Sequence, residues 1–433
     1  MGQFSTSLLT MRRNLYRLLE AKRGAVKALL LSVFWLIACS DLTGRQTDID
    51  RQETLRGQLV LWARTDELWT ESILARFKEE VGEVVVEFTD LYQDVEIVIE
   101  FMPGDQLLEE FITQVNRGFG PDLVLTGARN ILVLGQAGVL RDLSDHEIEF
   151  ASFRSEAFRQ VHFEGKVYGW PMFLHTQALC YNKAKVKTPP TTLTELRLQA
   201  LAGYSVGMVS DFSQTFWGTQ IFGGKLFDPQ GRVVLDRDQG WAKWMEWLKA
   251  TKDDPNFILS PDAPALQEAF IEGRLAYIVC ESVWIPTFRQ ALGNQQFGVA
   301  LLPGEANQPA GPFLEPSVLL FNRVSNRNQT QLALKFANFL TNVAQQREMV
   351  ADLPAFIPVN TQVQIDRRLF PIQGVLQKQS RTGVTTPLNT HHEIRDFYRY
   401  ADTLYQQVLA GEMSADKAAD QLAKRFNTEL NEP

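Results

Sequence analysis

Short apolar runs alternate with amphipathic segments from residue 57 onward, and this alternation limits the possible folds more than any other feature. Residues 57–63 (GQLVLWA) predict a buried strand. Apolar side chains recur at every fourth position from Trp69 to Val81, which predicts one long helix over residues 66–92. The run at 95–101 (VEIVIEF) predicts a second strand. Strand and helix continue to alternate as far as residue 137, which favours a parallel sheet covered by helices.

Gly82 leaves one alternative open within the long helix. The helix could end there, and the following VVVEF would then form a separate strand. Further along the chain the same periodicities predict strands near residues 121–125, 166–169, 177–181, 205–208, 275–279, 298–302 and 317–322, and helices near 105–117, 131–137, 192–202, 212–222, 238–250, 263–272, 282–291, 329–340, 344–352, 393–409 and 414–430.

Length and charge set broad limits on the function. A chain of 433 residues exceeds one ordinary hydrophobic core, so two domains or a two-lobed unit is expected. The net charge of −8 divides into +5 for residues 1–39 and −13 for the remainder. An acidic body argues against a nucleic-acid-binding protein, which would need a basic face.

The N-terminal region contains an uncharged apolar run, residues 28–38 (ALLLSVFWLIA), preceded by basic side chains. A membrane-spanning helix needs about 20 apolar residues, whereas the apolar region of a signal peptide needs about 7–15. A polar segment follows and predicts a flexible tether over residues 40–56. An uncleaved anchor helix is the alternative, and either interpretation places the body outside the cytoplasm.

The end of this run, Leu36-Ile37-Ala38-Cys39, resembles the bacterial lipobox. The resemblance implies that residues 1–39 contain a lipoprotein signal peptide and that Cys39 is lipidated and becomes the new N-terminus. Translation could begin at Met1 or at Met11. The expected location is therefore extracytoplasmic, with a lipid anchor in the cell membrane.

Two other cysteines, Cys180 and Cys280, lie in apolar runs. They show no zinc-type spacing, so two buried free thiols are expected, with a disulfide as the alternative in an oxidising compartment. His391 and His392 are adjacent on a predicted helix and would point apart. We therefore expect no metal site, and no cofactor.

Several segments match the family 1 extracellular solute-binding proteins in their order along the chain. They are LVLWARTDE, GPDLVLTGA, GQAGVLRDLS, FEGKVYGWPMFLHTQALCYNK, AFIEGRLAYIVCESVW, FGVALLPGE and GEMSADKAADQLA. The ordered set resembles the maltose-binding-protein-like receptors of ABC importers.

This resemblance implies an α/β fold with two lobes, each a mostly parallel sheet flanked by helices, joined by crossing segments. The N-terminal lobe would comprise residues 57–172 and 302–345, and the C-terminal lobe residues 173–301 and 346–433. A small solute would bind in the cleft between the lobes.

Sugars and polyols need aromatic faces for their C–H surfaces and planar polar groups for their hydroxyls. Side chains of these types at positions that match the family's binding segments are the candidate ligand-binding residues: Trp284, Glu281, Asp66, Glu67, Arg64, Trp217, Phe216, His175, Arg129, Asn130, Phe397 and Glu315.

Each candidate also has a structural explanation. Asp66 could cap a helix, and Trp284 or Trp217 could pack in the core. The chain departs from the maltose-binding pattern at residues 126–130, which lack the expected aromatic and acidic side chains. Ser282 stands where the family has glycine.

These features predict a monomeric binding protein rather than an enzyme, with a solute, a permease, an ATPase and the membrane as partners and with no nucleic acid. The solute is expected to be a sugar, oligosaccharide or polyol, with a polyamine or another small solute as the alternative. No nucleotide-binding or hydrolase motif is present. Two further functions stay open: a glycoside-active enzyme that uses Asp66 and Glu281, and a sensor that has lost transport.

Overall fold

The computed structural model describes residues 55–65, 71–388 and 394–428, and the lipobox-like segment with its Cys39 lies outside this part of the chain. The described residues form one compact unit. Its strands are β1 (Gly57–Thr65), β2 (Val95–Pro103), β3 (Leu123–Gly127), β4 (His162–Phe163), β5 (Lys166–Val167), β6 (Gly169–His175), β7 (Gln177–Asn182), β8 (Val206–Val209), β9 (Phe257–Ser260), β10 (Tyr277–Glu281), β11 (Phe297–Ala300), β12 (Glu315–Phe321) and β13 (Ile357–Pro358).

Helices surround these strands, and together with them they confirm the predicted α/β class. They are α1 (Glu71–Leu91), α2 (Gly104–Asn116), α3 (Asn130–Gln136), α4 (Ser155–Arg159), α5 (Leu193–Leu201), α6 (Phe212–Thr215), α7 (Gly240–Thr251), α8 (Ala263–Ile271), α9 (Ile285–Gln296), α10 (Arg327–Leu340), α11 (Val343–Asp352), α12 (Pro371–Gln379), α13 (Ile394–Ala410) and α14 (Ala415–Thr428), with 3-10 turns at Phe150–Ser152, Phe216–Phe222, Ser282–Trp284 and Ser380–Thr382.

The strands form two main sheets. The first has the order β13-β6-β12-β3-β1-β2, and β1 pairs in parallel with both β2 and β3, as the strand–helix alternation predicts. The second has the order β11-β7-β10-β8-β9, in which β8 pairs in parallel with β9 and β10. Both sheets are mixed, because β12 runs antiparallel to β3 and β6, and β7 antiparallel to β10 and β11.

The long N-terminal helix is continuous across Gly82, so one helix is confirmed over Glu71–Leu91 and the alternative of a separate strand is wrong. Phe77, Val81, Val84 and Phe88 are buried along its inner face, whereas Gly82 is exposed. The burial of this apolar face outweighs the helix propensity lost at one glycine, about 1 kcal/mol.

Some elements lie outside the predicted set because they are short or lack a periodic pattern. The edge strand Phe257–Ser260, the two-residue strand Ile357–Pro358 and the helix Pro371–Gln379 are examples. The predicted strand near 166–169 is in fact a small hairpin strand, Lys166–Val167, followed by the longer strand Gly169–His175.

The residues that pair in each sheet do not coincide fully with the predicted boundaries of the two lobes. Residues up to His175 belong to the first sheet, not only those up to residue 172. Ile357–Pro358 pairs with Leu174 and Phe173 and so also joins the first sheet, although it falls within the range 346–433 expected in the second lobe. The lobe boundaries themselves stay a prediction.

A single residue, Thr176, separates the last residue of β6 in the first sheet from the first residue of β7 in the second. The chain returns to the first sheet between Ala300 and Glu315. These two connections bring the ends of β6, β7 and β12 together, and the side chains at those ends therefore share one region of space.

Cys180 and Cys280 form a disulfide between β7 and β10, so the expectation of two free thiols is wrong. The two strands pair with Cys180 opposite Ile278 and Cys280 opposite Ala178, which leaves the cysteines diagonal neighbours on one face of the sheet. Their Cα atoms are 5.8 Å apart, a separation that a disulfide requires. Sequence spacing could not reveal this contact because 100 residues separate the two cysteines.

Reduction of this disulfide should lower the free energy of unfolding by about 2–4 kcal/mol, because the bond closes a long loop in the unfolded chain. Urea unfolding with and without reductant measures the loss. A variant with both cysteines replaced by alanine is the control, since its stability should not respond to reductant. Equal stability of the oxidised and reduced wild-type protein would contradict the assignment.

Candidate functional site

A cavity of about 420 Å³ lies where the ends of β6, β7, β10 and β12 converge. This volume is in the range of small-molecule binding sites. The side chains around it combine aromatic rings with charged and amide groups. Its lining comprises Arg64, Phe77, Leu125, Thr126, Gly127, Arg129, Phe173, His175, Gln177, Ser213, Gln214, Glu281, Val283, Phe313, Glu315, Pro316, Ser317, Phe356 and Tyr398.

The chain crossing at Thr176 explains why residues of both sheets reach the cavity. His175 and Gln177 flank Thr176, and extended backbone directs alternate side chains to the same side, so both line the cavity. The His175 Nε2 atom lies 2.8 Å from the Ser317 hydroxyl on the neighbouring strand β12. Thr176 itself is buried, and its hydroxyl donates to the Phe313 carbonyl at 3.1 Å.

Three phenylalanines form an aromatic wall on the side of the first sheet. The rings of Phe173 and Phe356 stack with centroids 4.7 Å apart, and Phe77 meets Phe356 edge to face at 6.0 Å. His175 also meets Phe356 edge to face, at 4.9 Å. Rings held by such contacts present fixed apolar faces to a ligand.

Phe313 and Tyr398 form a second aromatic group on the cavity wall, with ring centroids 5.6 Å apart in an edge-to-face arrangement. Two rings behind them support this group. Phe216 stacks on Phe313 at 5.0 Å, and Phe397 packs against Tyr398 at 5.2 Å. The Tyr398 hydroxyl lies 2.7 Å from the Thr386 hydroxyl.

Arg129 and Glu315 form an ion pair on the cavity wall. The guanidinium of Arg129 also lies over the Tyr398 ring, 5.1 Å from its centroid, a cation–π arrangement. Partial removal of water from Glu315 favours its neutral form, but the Arg129 charge outweighs that effect and holds the pKa of Glu315 below its usual range. Both groups are therefore charged at neutral pH, and their charges largely cancel.

Glu281 lies at the end of β10, opposite Gln177 on β7. Burial raises the pKa of its carboxyl to about 7, and the nearby Glu315 carboxylate adds to this effect. Hydrogen bonds from the side chains of Gln214 and Gln177 oppose the shift, and Asp211 reinforces it. Near neutral pH the neutral and the ionised form of Glu281 are therefore both populated.

Arg64 reaches the cavity from the end of β1, and Gly104 at the start of α2 makes room for it. A Cβ atom at position 104 would collide with the Arg64 side chain. The cavity wall thus carries two guanidinium groups, Arg64 and Arg129, and two carboxyl groups, Glu281 and Glu315, beside the aromatic rings.

Among the described residues, no group of three or more histidine, cysteine or acidic side chains is arranged to hold a metal ion. Nor does any helix in the part of the chain that the structure covers have the length and apolarity needed to cross a membrane.

Sequence comparison identifies the family. The profile of the bacterial extracellular solute-binding proteins matches residues 83–367, more than half of the chain. The chain belongs to this family. The maltodextrin-binding protein MdxE of Bacillus subtilis (strain 168) is 24% identical over 84% of this chain and 90% of its own length. The galactooligosaccharide-binding protein of the same organism is 21% identical over 91% of this chain and 95% of its own length.

Solved structures agree on the two-lobed fold expected of this solute-binding protein. A cyclo/maltodextrin-binding protein complexed with maltotetraose has a TM-score of 0.73 at 19% identity, covering 88% of this chain and 99% of the other. The GacH receptor of Streptomyces glaucescens has a TM-score of 0.72 at 19% identity, covering 86% and 98%. At this level of identity the likeness concerns the fold alone.

The structure brings five of the twelve predicted binding residues of this solute-binding protein together around the cavity. They come from both sheets and from the loop after β3, although they are far apart in sequence. They are Arg64, Arg129, His175, Glu281 and Glu315. Asp66 and Glu67 lie outside the described residues and stay a prediction.

The other five predicted residues are not on the cavity wall. Trp284 is 1% exposed and packs against Phe288 in the core, and Trp217 is fully buried against Trp244. Asn130 donates to the Thr126 hydroxyl at 2.6 Å. Two rings, Phe216 and Phe397, lie one layer behind the cavity, where they support its second aromatic group.

Sequence reasoning misses several residues of the cavity wall. Phe173 and Gln177 lie on strands whose hydrophobic pattern marks them only as buried. Phe356 follows α11 in a segment without periodicity and reaches the cavity because β13 pairs with β6. Tyr398 stands beside the candidate Phe397 in a segment that resembles an aromatic binding position of the family, and the structure shows that Tyr398 is the one that borders the cavity.

Replacing Trp284 with alanine should lower the free energy of unfolding by about 3–5 kcal/mol, because the change leaves a large void in the core. Val283→Ala is the matched comparison, since Val283 borders the cavity and is only half-buried, so its loss should cost far less. Thermal or urea unfolding distinguishes the two variants. A Trp284→Ala variant with native stability that fails to bind solute would instead make Trp284 a ligand contact.

Proposed function

We propose that this chain is the solute receptor of an ABC importer and that it binds a carbohydrate, either an oligosaccharide or a polyol, in the cavity between the two sheets. The observation that carries this proposal is the combination of two rigid aromatic groups with a polar centre of guanidinium, carboxyl and amide groups. Aromatic faces suit the C–H surfaces of a sugar ring, and planar polar groups suit its hydroxyls.

The comparisons support a carbohydrate over other solutes. Relatives that align over most of their length are named for maltodextrin and galactooligosaccharide, and a maltotriose-binding protein of Pyrococcus abyssi is 27% identical over 64% of this chain. A polyamine is the less favoured ligand, because Arg64 on the cavity wall would repel a cation and the Arg129–Glu315 ion pair offers no net negative charge to attract one.

We also propose that the protein acts without catalysis and is held at the cell surface by a lipid on Cys39. A lipobox-like segment and a polar tether precede the body, and a solute-binding lipoprotein of Streptococcus pneumoniae is among the relatives, 23% identical over 75% of this chain. Tethering would raise the concentration of the loaded receptor near its permease. The lobes would close around the ligand by a hinge motion at the connections between the sheets.

A ligand screen tests the proposed function. The full-length protein is titrated with maltotriose, a galactotriose, a linear polyol and spermidine, and thermal unfolding and calorimetry report binding. A carbohydrate or polyol should raise the melting temperature, because a ligand that binds only the folded state stabilises it. A response to spermidine without any response to the three neutral compounds would contradict the proposal.

Replacing Tyr398 with alanine should weaken binding of the responding carbohydrate at least about tenfold, equivalent to about 1.4 kcal/mol. The change removes a ring from the cavity wall and also the partner of the Arg129 guanidinium. Tyr398→Phe keeps the ring and should retain most of the affinity.

Tyr400→Ala is the matched control on the same helix, because Tyr400 contacts Arg425 and Phe426 and does not line the cavity. Calorimetry gives the dissociation constants of all three variants. An equal loss of affinity for Tyr398→Ala and Tyr400→Ala would mean that the helix, rather than the ring, is responsible.

A further inference from the structure

Three side chains form a hydrogen-bonded group on the side of the cavity that belongs to the second sheet. The Gln177 amide nitrogen donates to the Gln214 side-chain oxygen at 2.9 Å, to the Gln214 main-chain oxygen at 3.1 Å and to Glu281 Oε1 at 3.1 Å. The Gln214 side chain also bonds to the Glu281 carboxyl. The donors of the Gln177 amide are thus used within the group.

The acceptors of this group are not all used. Gln177 is 2% exposed and lines the cavity, yet its Oε1 atom has no hydrogen-bond partner within the described part of the chain. The orientation of the amide follows from its neighbours, because a flipped amide would place Oε1 against three acceptor oxygens. A buried carbonyl oxygen without a donor costs free energy, so this position favours a ligand that supplies one.

We propose that Gln177 Oε1 and the Glu281 carboxylate form an acceptor subsite for two hydroxyl groups of the bound carbohydrate. This inference rests on the proposed function and assigns the part of the cavity that recognises hydroxyl donors. Gln214 is a positioning residue, since its oxygen atoms hold the Gln177 amide in place.

The proton balance follows from the chemistry of the carboxyl group. A hydroxyl that donates to Glu281 stabilises the carboxylate over the neutral acid, so the bound state has the lower pKa and the proton leaves to solvent. The charged groups that bear on Glu281 are Glu315 and Asp211, which oppose ionisation, and Arg129, which favours it. Since the pKa of Glu281 is about 7 without ligand, binding should release a proton near neutral pH and strengthen as the pH rises.

An ammonium group could use the same acceptors, but the rest of the cavity argues against it. Arg64 lines the same small volume and would repel a cation, whereas Glu315 largely cancels the charge of Arg129. A neutral hydroxyl avoids this repulsion while still supplying the missing donor.

Calorimetry on the full-length protein tests the subsite, with maltotriose as the probe and a galactotriose as a second probe. The dissociation constant should fall about tenfold between pH 6 and pH 8, the change expected for a group of pKa about 7 that must ionise on binding. Titrations at pH 7 in two buffers of different ionisation enthalpy should show proton release.

Variants separate Glu281 from other titrating groups. Glu281→Gln should reduce the pH dependence to less than twofold, whereas Glu109→Gln, an exposed position outside the cavity, should keep it in full. His175→Gln removes the histidine that lines the cavity, a residue type that ordinarily titrates near pH 7, and the tenfold dependence should persist whatever its absolute affinity. Gln177→Met should weaken binding at least tenfold at pH 8, while the free protein still unfolds cooperatively.

The outcomes distinguish this inference from the proposed function. Maltotriose or galactotriose binding whose affinity does not change between pH 6 and pH 8, or whose pH dependence disappears in His175→Gln instead of Glu281→Gln, overturns the subsite and leaves the carbohydrate receptor intact. Failure of maltotriose, the galactotriose and the linear polyol to bind overturns the proposed function and the subsite together. Proton release that disappears in Glu281→Gln and weaker binding of Gln177→Met support the subsite.

Discussion

The crossing of the chain at Thr176 is the constraint on which the rest of the site depends. One buried residue carries the backbone from the first sheet to the second, so it cannot shift without moving strands in both. Its carbonyl accepts from the Ser282 amide at 2.9 Å and its hydroxyl donates to the Phe313 carbonyl at 3.1 Å. These two bonds tie the end of β10 and the segment before β12 to the crossing, and each of the three segments contributes side chains to the cavity.

Charge balance explains how so polar a cavity is stable without a ligand. The Arg129–Glu315 pair is partly exposed, so the pair itself adds little to stability. Its effect is to cancel one positive and one negative charge beside the aromatic rings. The remaining acid, Glu281, meets its burial cost differently: its pKa rises and it accepts amide hydrogen bonds. The positive charge of Arg129 therefore keeps Glu315 ionised, whereas Glu281 can change its protonation state.

The sequence allowed much of the fold to be predicted and less of the site. The helix with its apolar face from Phe77 to Phe88 and the succession of strands can be predicted from the local spacing of apolar residues. That spacing is visible in the sequence without any knowledge of tertiary contacts. The cavity depends on contacts between distant segments. Trp284 illustrates the difference: its position after a strand is visible in sequence, but the direction of its ring, toward Phe288, is fixed by how the following turn packs. Gln177 has no sequence signal, because its role depends on pairing opposite Glu281.

The pairing of Gln177 with Glu281 also gives the disulfide a role in the site, in addition to its effect on stability. Gln177 stands opposite Glu281 in the ladder between β7 and β10, and the next pair along is Ala178 with Cys280, whose sulfur is bonded to Cys180. The covalent link therefore lies one position from the residues that face the cavity and restrains the register of the two strands there. A slip of either strand by one residue would turn its side chain, Gln177 or Glu281, away from the cavity. The Gln177 amide and the Glu281 carboxyl can keep their acceptor oxygens at a fixed spacing only if strands β7 and β10 do not move relative to each other. The disulfide restrains this movement from the buried face of the sheet.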